Sequence, residues 1–346
     1  MAKTKRKNKI NAFRLSSLLF LSIVALISAA VISLTSTHTT TFASTQPVFT
    51  TDQWNAALEK VIHSDVTQSV TLPNGKDLWI FGDTIQVNGA TTSGAFGYPH
   101  DAFVTQAPNT LNFTAIPGNY GYGWQQVPNW SDGTYFWFAT PIVDNGILYV
   151  LGQRIQGVNP FTVVGDYVAV FNANTLAFQK IVQIPGGSTG LTTWGGVAKT
   201  STGWWITGSH NVSCSYATDC KVGDFAFVPL GKLANANSWK IYNNVIPASN
   251  NIGTTLALLR TGSGWDIFTK VGDAYGGTQI EKLTASSPTG TWTVKETWDA
   301  PSPQGTVTYG VAVHPEQTSP SGQMLVSYDV NGIDADTHPL FEYLSR

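Results

Sequence analysis

Asp65 and Asp83 are the residues whose type and spacing best suit chemistry. A hairpin turning at Asn74-Gly75, midway between them, sets position 65 opposite position 83. Two carboxyls brought together push their pKa values apart, leaving one protonated and one ionised. That arrangement cleaves glycosidic bonds: one group protonates the leaving oxygen, and the other acts as base or nucleophile. The same pair would equally serve a tight turn at Thr84, or hold a structural cation such as calcium.

Further polar residues cluster late in the chain. Tyr309, His314 and Glu316 would supply substrate contacts opposite Asp83, and Asp101 follows His100 in the same way. A lone histidine is more often a satisfied structural group than a catalyst. Trp137, Thr140 and Trp194 are the expected sugar contacts: indole rings stack on the apolar faces of sugars while polar groups read the hydroxyls. For Trp79, Trp205 and Trp292, inside alternating strands, core packing is the better reading. No Ser-His-Asp elbow, phosphate loop or dinucleotide fingerprint is present, and no cofactor is expected.

These residues are carried by a repeat. A small-residue strand, a Gly turn and an aromatic, β-branched strand recur at 65–84, 138–153, 193–209, 252–270 and 308–329. A third strand follows each hairpin, at 101–106, 166–172, 224–230, 278–284 and 339–344, and fourth strands fit 238–244 and 290–297. Units spaced every 55 to 70 residues or so predict an all-β fold, a five-bladed β-propeller. The first strand of each unit, rich in Gly, Thr and Ala, would line the axis. The last unit lacks a fourth strand, and the segment around Phe49-Lys60 would supply it, although 53–62 also fits one or two helical turns.

The propeller would occupy 45–346. Residues 1–44 read as a signal peptide or membrane anchor: Lys3, Lys5, Arg6, Lys7, Lys9 and Arg14 precede an apolar run from Leu15 to Leu34. The chain would therefore be extracellular or on the cell surface, meeting a membrane only through that segment. Whole-chain net charge is −2, so the part beyond the basic segment is acidic, which argues against nucleic acid as a partner. Cys214 and Cys220 are expected to form a disulfide in an oxidising compartment, since their spacing fits no zinc pattern and no metal site is expected. A monomer binding a polysaccharide or oligosaccharide is the expected state.

The strands DLWIFGDT and TWGGVAKT, the YFW segment before FATPIVDNGILYV, and the TYGVAVHPE to LVSYDVNG ending resemble one propeller family. It is the family catalogued as domain of unknown function 4185, whose relatives include endo-D-arabinanases of glycoside hydrolase family 183. The resemblance covers about residues 50 to 346 and implies that the paired acids of the first blade, here Asp65 and Asp83, carry the chemistry. It also implies Asn after His100, where this chain has Asp101. Family 43 hydrolases place two aspartates and a glutamate on three successive blades. This chain has no glutamate between Glu59 and Glu281, so only their architecture is expected here. The functional expectation is a glycoside hydrolase acting on a furanoside polymer such as arabinan; the alternatives are a non-catalytic glycan-binding propeller and a purely structural one.

Overall fold

The computed structural model describes residues 49–345, apart from 93–97, 121–122, 158–159, 188–190, 215–219, 263, 272–276, 301–305, 320 and 333–336. The expected signal or anchor segment lies outside the described residues. Among those described, no helix is long and apolar enough to cross a membrane.

The described chain opens with helix α1 (Thr51–Glu59). Strands then follow almost without interruption: β1 (Ile62–Ser64), β2 (Gln68–Thr71), β3 (Asp77–Phe81), β4 (Thr84–Val87), β5 (Ala90–Thr91), β6 (Ala102–Gln106) and β7 (Phe113–Ile116). Next come β8 (Tyr135–Asp144), β9 (Ile147–Gln156), β10 (Thr162–Asn172) and β11 (Phe178–Gln183). β12 (Thr193–Lys199), β13 (Gly203–Val212), β14 (Cys220–Pro229) and β15 (Lys240–Ile246) follow. The last are β16 (Ile252–Arg260), β17 (Trp265–Val271), β18 (Gln279–Ala285), β19 (Thr293–Asp299), β20 (Thr306–Thr318), β21 (Met324–Gly332) and β22 (His338–Leu344).

Pairing is antiparallel and mostly between sequence neighbours, as short hairpins require, with β3–β6 and β1–β4 the longer connections. Four sheets run β2-β3-β6-β7, β8-β9-β10-β11, β12-β13-β14-β15 and β16-β17-β18-β19; a fifth runs β20-β21-β22, and a small sixth runs β1-β4-β5. Asn145-Gly146, both at positive φ, make the tight β8–β9 turn, a conformation that asparagine and glycine accept most readily.

First strands meet in cyclic order: β2 touches β8, β8 touches β12, β12 touches β16, β16 touches β20, and β20 touches β2. Hydroxyls join them. Thr140 Oγ1 donates to the Gly195 carbonyl at 2.7 Å, and Thr255 Oγ1 accepts from the Val311 N–H at 2.6 Å. Apolar cores lie between successive sheets, such as Phe103, Phe138 and Phe171 between the first two. Trp205 packs against Phe227, Tyr242 and Trp265, and Trp79 and Trp292 are buried, so all three serve core packing as expected, although every residue of β3 is buried and Trp292 lies just before β19.

The segment expected as a closing strand is instead helix α1. Thr50 and Gln53 form a reciprocal capping box, and Trp54 and Leu58, one turn apart, bury a single face. The helix still covers the outer edge of the last sheet. Asn55 Oδ1 accepts the Phe341 N–H at 2.9 Å, and the Trp54 indole N–H donates to Tyr343 at 3.1 Å. An edge strand is thereby shielded without a further strand.

Candidate functional site

The axial strands enclose two cavities. One, of about 560 Å³, lies at the N-terminal ends of β8, β12, β16 and β20 and is lined by Asp65, Trp137, Phe161, His210, Tyr309 and Asp329, among others. The other, of about 600 Å³, lies towards the C-terminal ends and is lined by Ser69, Thr140, Trp204, Arg260 and Glu316, among others.

Asp65 sits just before β2, where Val66 takes a positive φ and breaks the strand. The β2–β3 register pairs Gln68 with Ile80 and Thr71 with Asp77, and its continuation sets 65 opposite 83 as the turn position predicts. Asp65 Oδ1 accepts the Asp83 N–H at 2.9 Å, and Oδ2 accepts the Tyr309 hydroxyl at 2.8 Å. The residue is 5% exposed. Burial, then the nearby Asp83 and Asp329 charges, hold its carboxyl well above the usual range.

Asp83 departs from the expected convergence. Its backbone serves Asp65, but its carboxylate pairs with His100 Nδ1 at 2.6 Å and does not line the cavity. His100 stacks on Tyr135, with ring centroids 3.5 Å apart. The carboxyl that shares the cavity with Asp65 is Asp329 of β21. It stands opposite Tyr309 in the β20–β21 register and accepts the Thr67 hydroxyl at 3.2 Å. The backbone N–H groups of Val66 and Thr67 also donate to it. Burial nevertheless pushes its pKa up to about 7. The turn at Ser321-Gly322 alone does not give this pairing; the register shifts at His314/Thr318 and Tyr309/Val311 bring Asp329 opposite Tyr309.

The facing wall comes from the second and third sheets. His210 Nδ1 pairs with Asp224 at 2.7 Å, and Gln153 donates to Asp166 at 3.2 Å. Burial raises Asp166 to about 7. Cys214 and Cys220 are joined as a disulfide at the end of the β13–β14 hairpin, next to the cavity-lining Asn211 and Lys221. Among the described residues, no group of three or more His, Cys, Asp or Glu could hold a metal ion.

Several expected contacts lie elsewhere. Trp194 is 2% exposed, packs on Trp239 and donates to the Pro185 carbonyl, so it belongs to the core between two sheets. Asp101 is wholly buried and accepts the N–H groups of Gln126 and Val127, tying down that loop. His314 is buried against Trp79 between Ser69 and Ser327, and burial lowers its pKa to about 3. Glu316 bonds Ser69 in the other cavity, where burial raises it to about 7. Thr140 faces that cavity too. Tyr309 and Glu316 thus line different cavities and do not serve one sugar unit. Trp137 and Tyr309 are the aromatic expectations that do line the Asp65 cavity.

Two consequences are measurable. Trp194→Ala should cost about 3–5 kcal/mol of stability in chemical denaturation, while the folded protein binds glycan as the unaltered chain does. Weakened glycan binding at full folding would return Trp194 to the site. A Cβ at Gly82 would lie 2.5 Å from Asp65 Oδ1 and 2.6 Å from Trp137 Nε1. Gly82→Ala should therefore displace the carboxyl and reduce turnover by about 100-fold, read as kcat, with the fold retained by circular dichroism.

No curated protein matches the chain. Solved structures share its fold. A protein from Bacteroides ovatus ATCC 8483, provisionally named a hydrolase, superposes with TM-score 0.60 at 12% identity, covering 84% of this chain and 88% of that one. A family 43 β-xylosidase/α-arabinofuranosidase from a compost microbial metagenome, in complex with xylotriose, gives 0.54 at 12%, covering 83% and 92%. An α-L-arabinofuranosidase from Lactobacillus brevis gives 0.55 at 10%, covering 82% and 91%. The sheets are thus arranged as in the propeller hydrolases of family 43. The resemblance to domain of unknown function 4185 is overturned. The motifs that carried it, Gly82-Asp83-Thr84 and His314-Pro315-Glu316, are strand-and-turn patterns that report architecture rather than lineage. A family model matches residues 50–344, and the chain belongs to the family described as domain of unknown function (DUF5005).

Proposed function

We propose that the protein is a glycoside hydrolase built as a five-bladed propeller, with β1-β4-β5 as an accessory sheet. It cleaves a furanoside polysaccharide such as D-arabinan, acting within the polymer, as an exported or surface-held monomer. The observation that carries the reading is the placement of Asp65 and Asp329, two buried carboxyls in the wall of one sugar-sized cavity beside Tyr309.

On this reading, Asp65 is the general acid. Burial and two neighbouring carboxylates hold its pKa well above the usual range and favour its protonated form. Asp329, with three donors supporting its charged form, is the base or nucleophile. Tyr309 donates to Asp65 and holds that carboxyl in place. Asp83 acts through Asp65, by its N–H and its charge. Trp137 and Phe161, edge to face at 5.3 Å, offer apolar surface to the sugar. His210, backed by Asp224, and Gln153, backed by Asp166, meet hydroxyls on the opposite wall.

The neighbouring folds that carry arabinofuranosidase and xylosidase names support this substrate class. Incubation with arabinans, xylans and galactans tests it. Release of reducing ends from an arabinan is expected. Glycan binding without any release would select a binding-only propeller.

A further inference from the structure

We propose that the indole N–H of Trp137 is a held-back donor that closes on the Asp65 carboxylate as Asp65 gives up its proton. The inference rests on the reading of Asp65 as the general acid. Trp137 Nε1 is buried and, among the described residues, has no hydrogen-bond partner. Leaving a buried donor orphaned is costly, which points to a state in which it is paired. The group beside it is Asp65. Trp137 Nε1 and Asp65 Oδ1 both lie within 2.6 Å of the place a Cβ would take at Gly82. The absent side chain at Gly82 is what leaves room for the two to meet. Solvent does not reach the indole nitrogen, so neither water nor a sugar hydroxyl is its natural acceptor.

In the step itself, the Asp65 proton passes to the glycosidic oxygen, and the O–H electron pair stays on the carboxylate. New negative charge then appears on Asp65, close to Asp83 and Asp329. The Asp83 N–H and the Tyr309 hydroxyl already donate to Asp65, and Asp83 is paired with His100. One further donor that engages only after ionisation stabilises the product of proton transfer more than its reactant, which accelerates the step. Trp137 is thus a positioning residue acting through Asp65, in addition to offering its ring edge to Phe161.

The test is a pH titration of the full chain followed by NMR. The Trp137 indole ¹H–¹⁵N signal, assigned by its loss in Trp137→Phe, should move downfield with the midpoint of the Asp65 carboxyl ¹³C signal. That movement should vanish in Asp65→Asn, where Asp329 still titrates. Trp137→Phe, which keeps a ring, should raise the Asp65 midpoint by about one pH unit, a tenfold fall in ionisation constant, as loss of one charge-assisted hydrogen bond implies. An indole signal that is flat with pH, or that moves equally in Asp65→Asn, overturns the proposal. So does an unchanged Asp65 midpoint in Trp137→Phe. Indole coupling in a protein that cleaves no glycan would sustain this inference and sink the enzymatic reading instead.

Discussion

Asp65→Asn should reduce polysaccharide cleavage by about 10³-fold, the share a general acid contributes. Asparagine keeps an oxygen for the Asp83 N–H and a similar shape beside Tyr309, so the melting temperature should stay close to that of the unaltered protein. The loss should depend on the leaving group. Aryl glycosides whose phenol departs without protonation should retain most of their rate, because only the proton donor is missing. Comparing kcat/KM on polymer and on an activated aryl glycoside checks this. Equal loss on both would make Asp65 the base or nucleophile rather than the acid.

Asp329→Asn should instead be severe on both substrate types, by about 10³-fold or more, because no group remains to attack or to activate water. Added azide or formate should restore part of the aryl-glycoside rate, since a small anion fits where the carboxylate stood. The unaltered protein should show a bell-shaped pH profile. Its rate rises as pH passes about 7, where Asp329 ionises, and falls again where Asp65 loses its proton. The two limbs describe the coupled pair rather than either residue alone. Removing the Asp83 charge in Asp83→Asn takes away one cause of the raised Asp65 value, so the alkaline limb should move to lower pH. An unmoved limb would show that Asp83 has no electrostatic hold on Asp65.

Much of the scaffold is legible in the sequence because hairpin turns and strand alternation are local signals. Asn74-Gly75 alone sets Asp65 opposite Asp83, and Asn145-Gly146 sets the β8–β9 register. What alternation cannot supply is the face each residue takes near the cavity. Register shifts interrupt β8 at Phe138/Thr140, β12 at Trp194/Gly196, β16 at Ile252/Leu256 and β20 at Tyr309/Val311. Each irregularity changes which side chains point inward. Trp194, read as a sugar platform, holds the place of the buried Phe138 before the bulge and so turns into the core, while Trp137, one position earlier in its strand, stays on the cavity with Thr193. Asp83 lies beyond the last residue of β3, where the chain turns its carboxylate to His100. Asp329 escaped notice because it lies on a second strand, two hundred and more positions from Asp65 in sequence, and only the closing of first and last sheets brings them together.

The most direct measurement is a crystal structure of Asp65→Asn, which should bind but not cleave, with an arabino-oligosaccharide. The account predicts sugar in the cavity beside Tyr309, one glycosidic oxygen within hydrogen-bonding reach of residue 65 and the Asp329 carboxylate near the anomeric carbon. An oligosaccharide seated in the opposite cavity, around Ser69 and Glu316, or on the outer surface, with the Asp65 cavity empty, would contradict it.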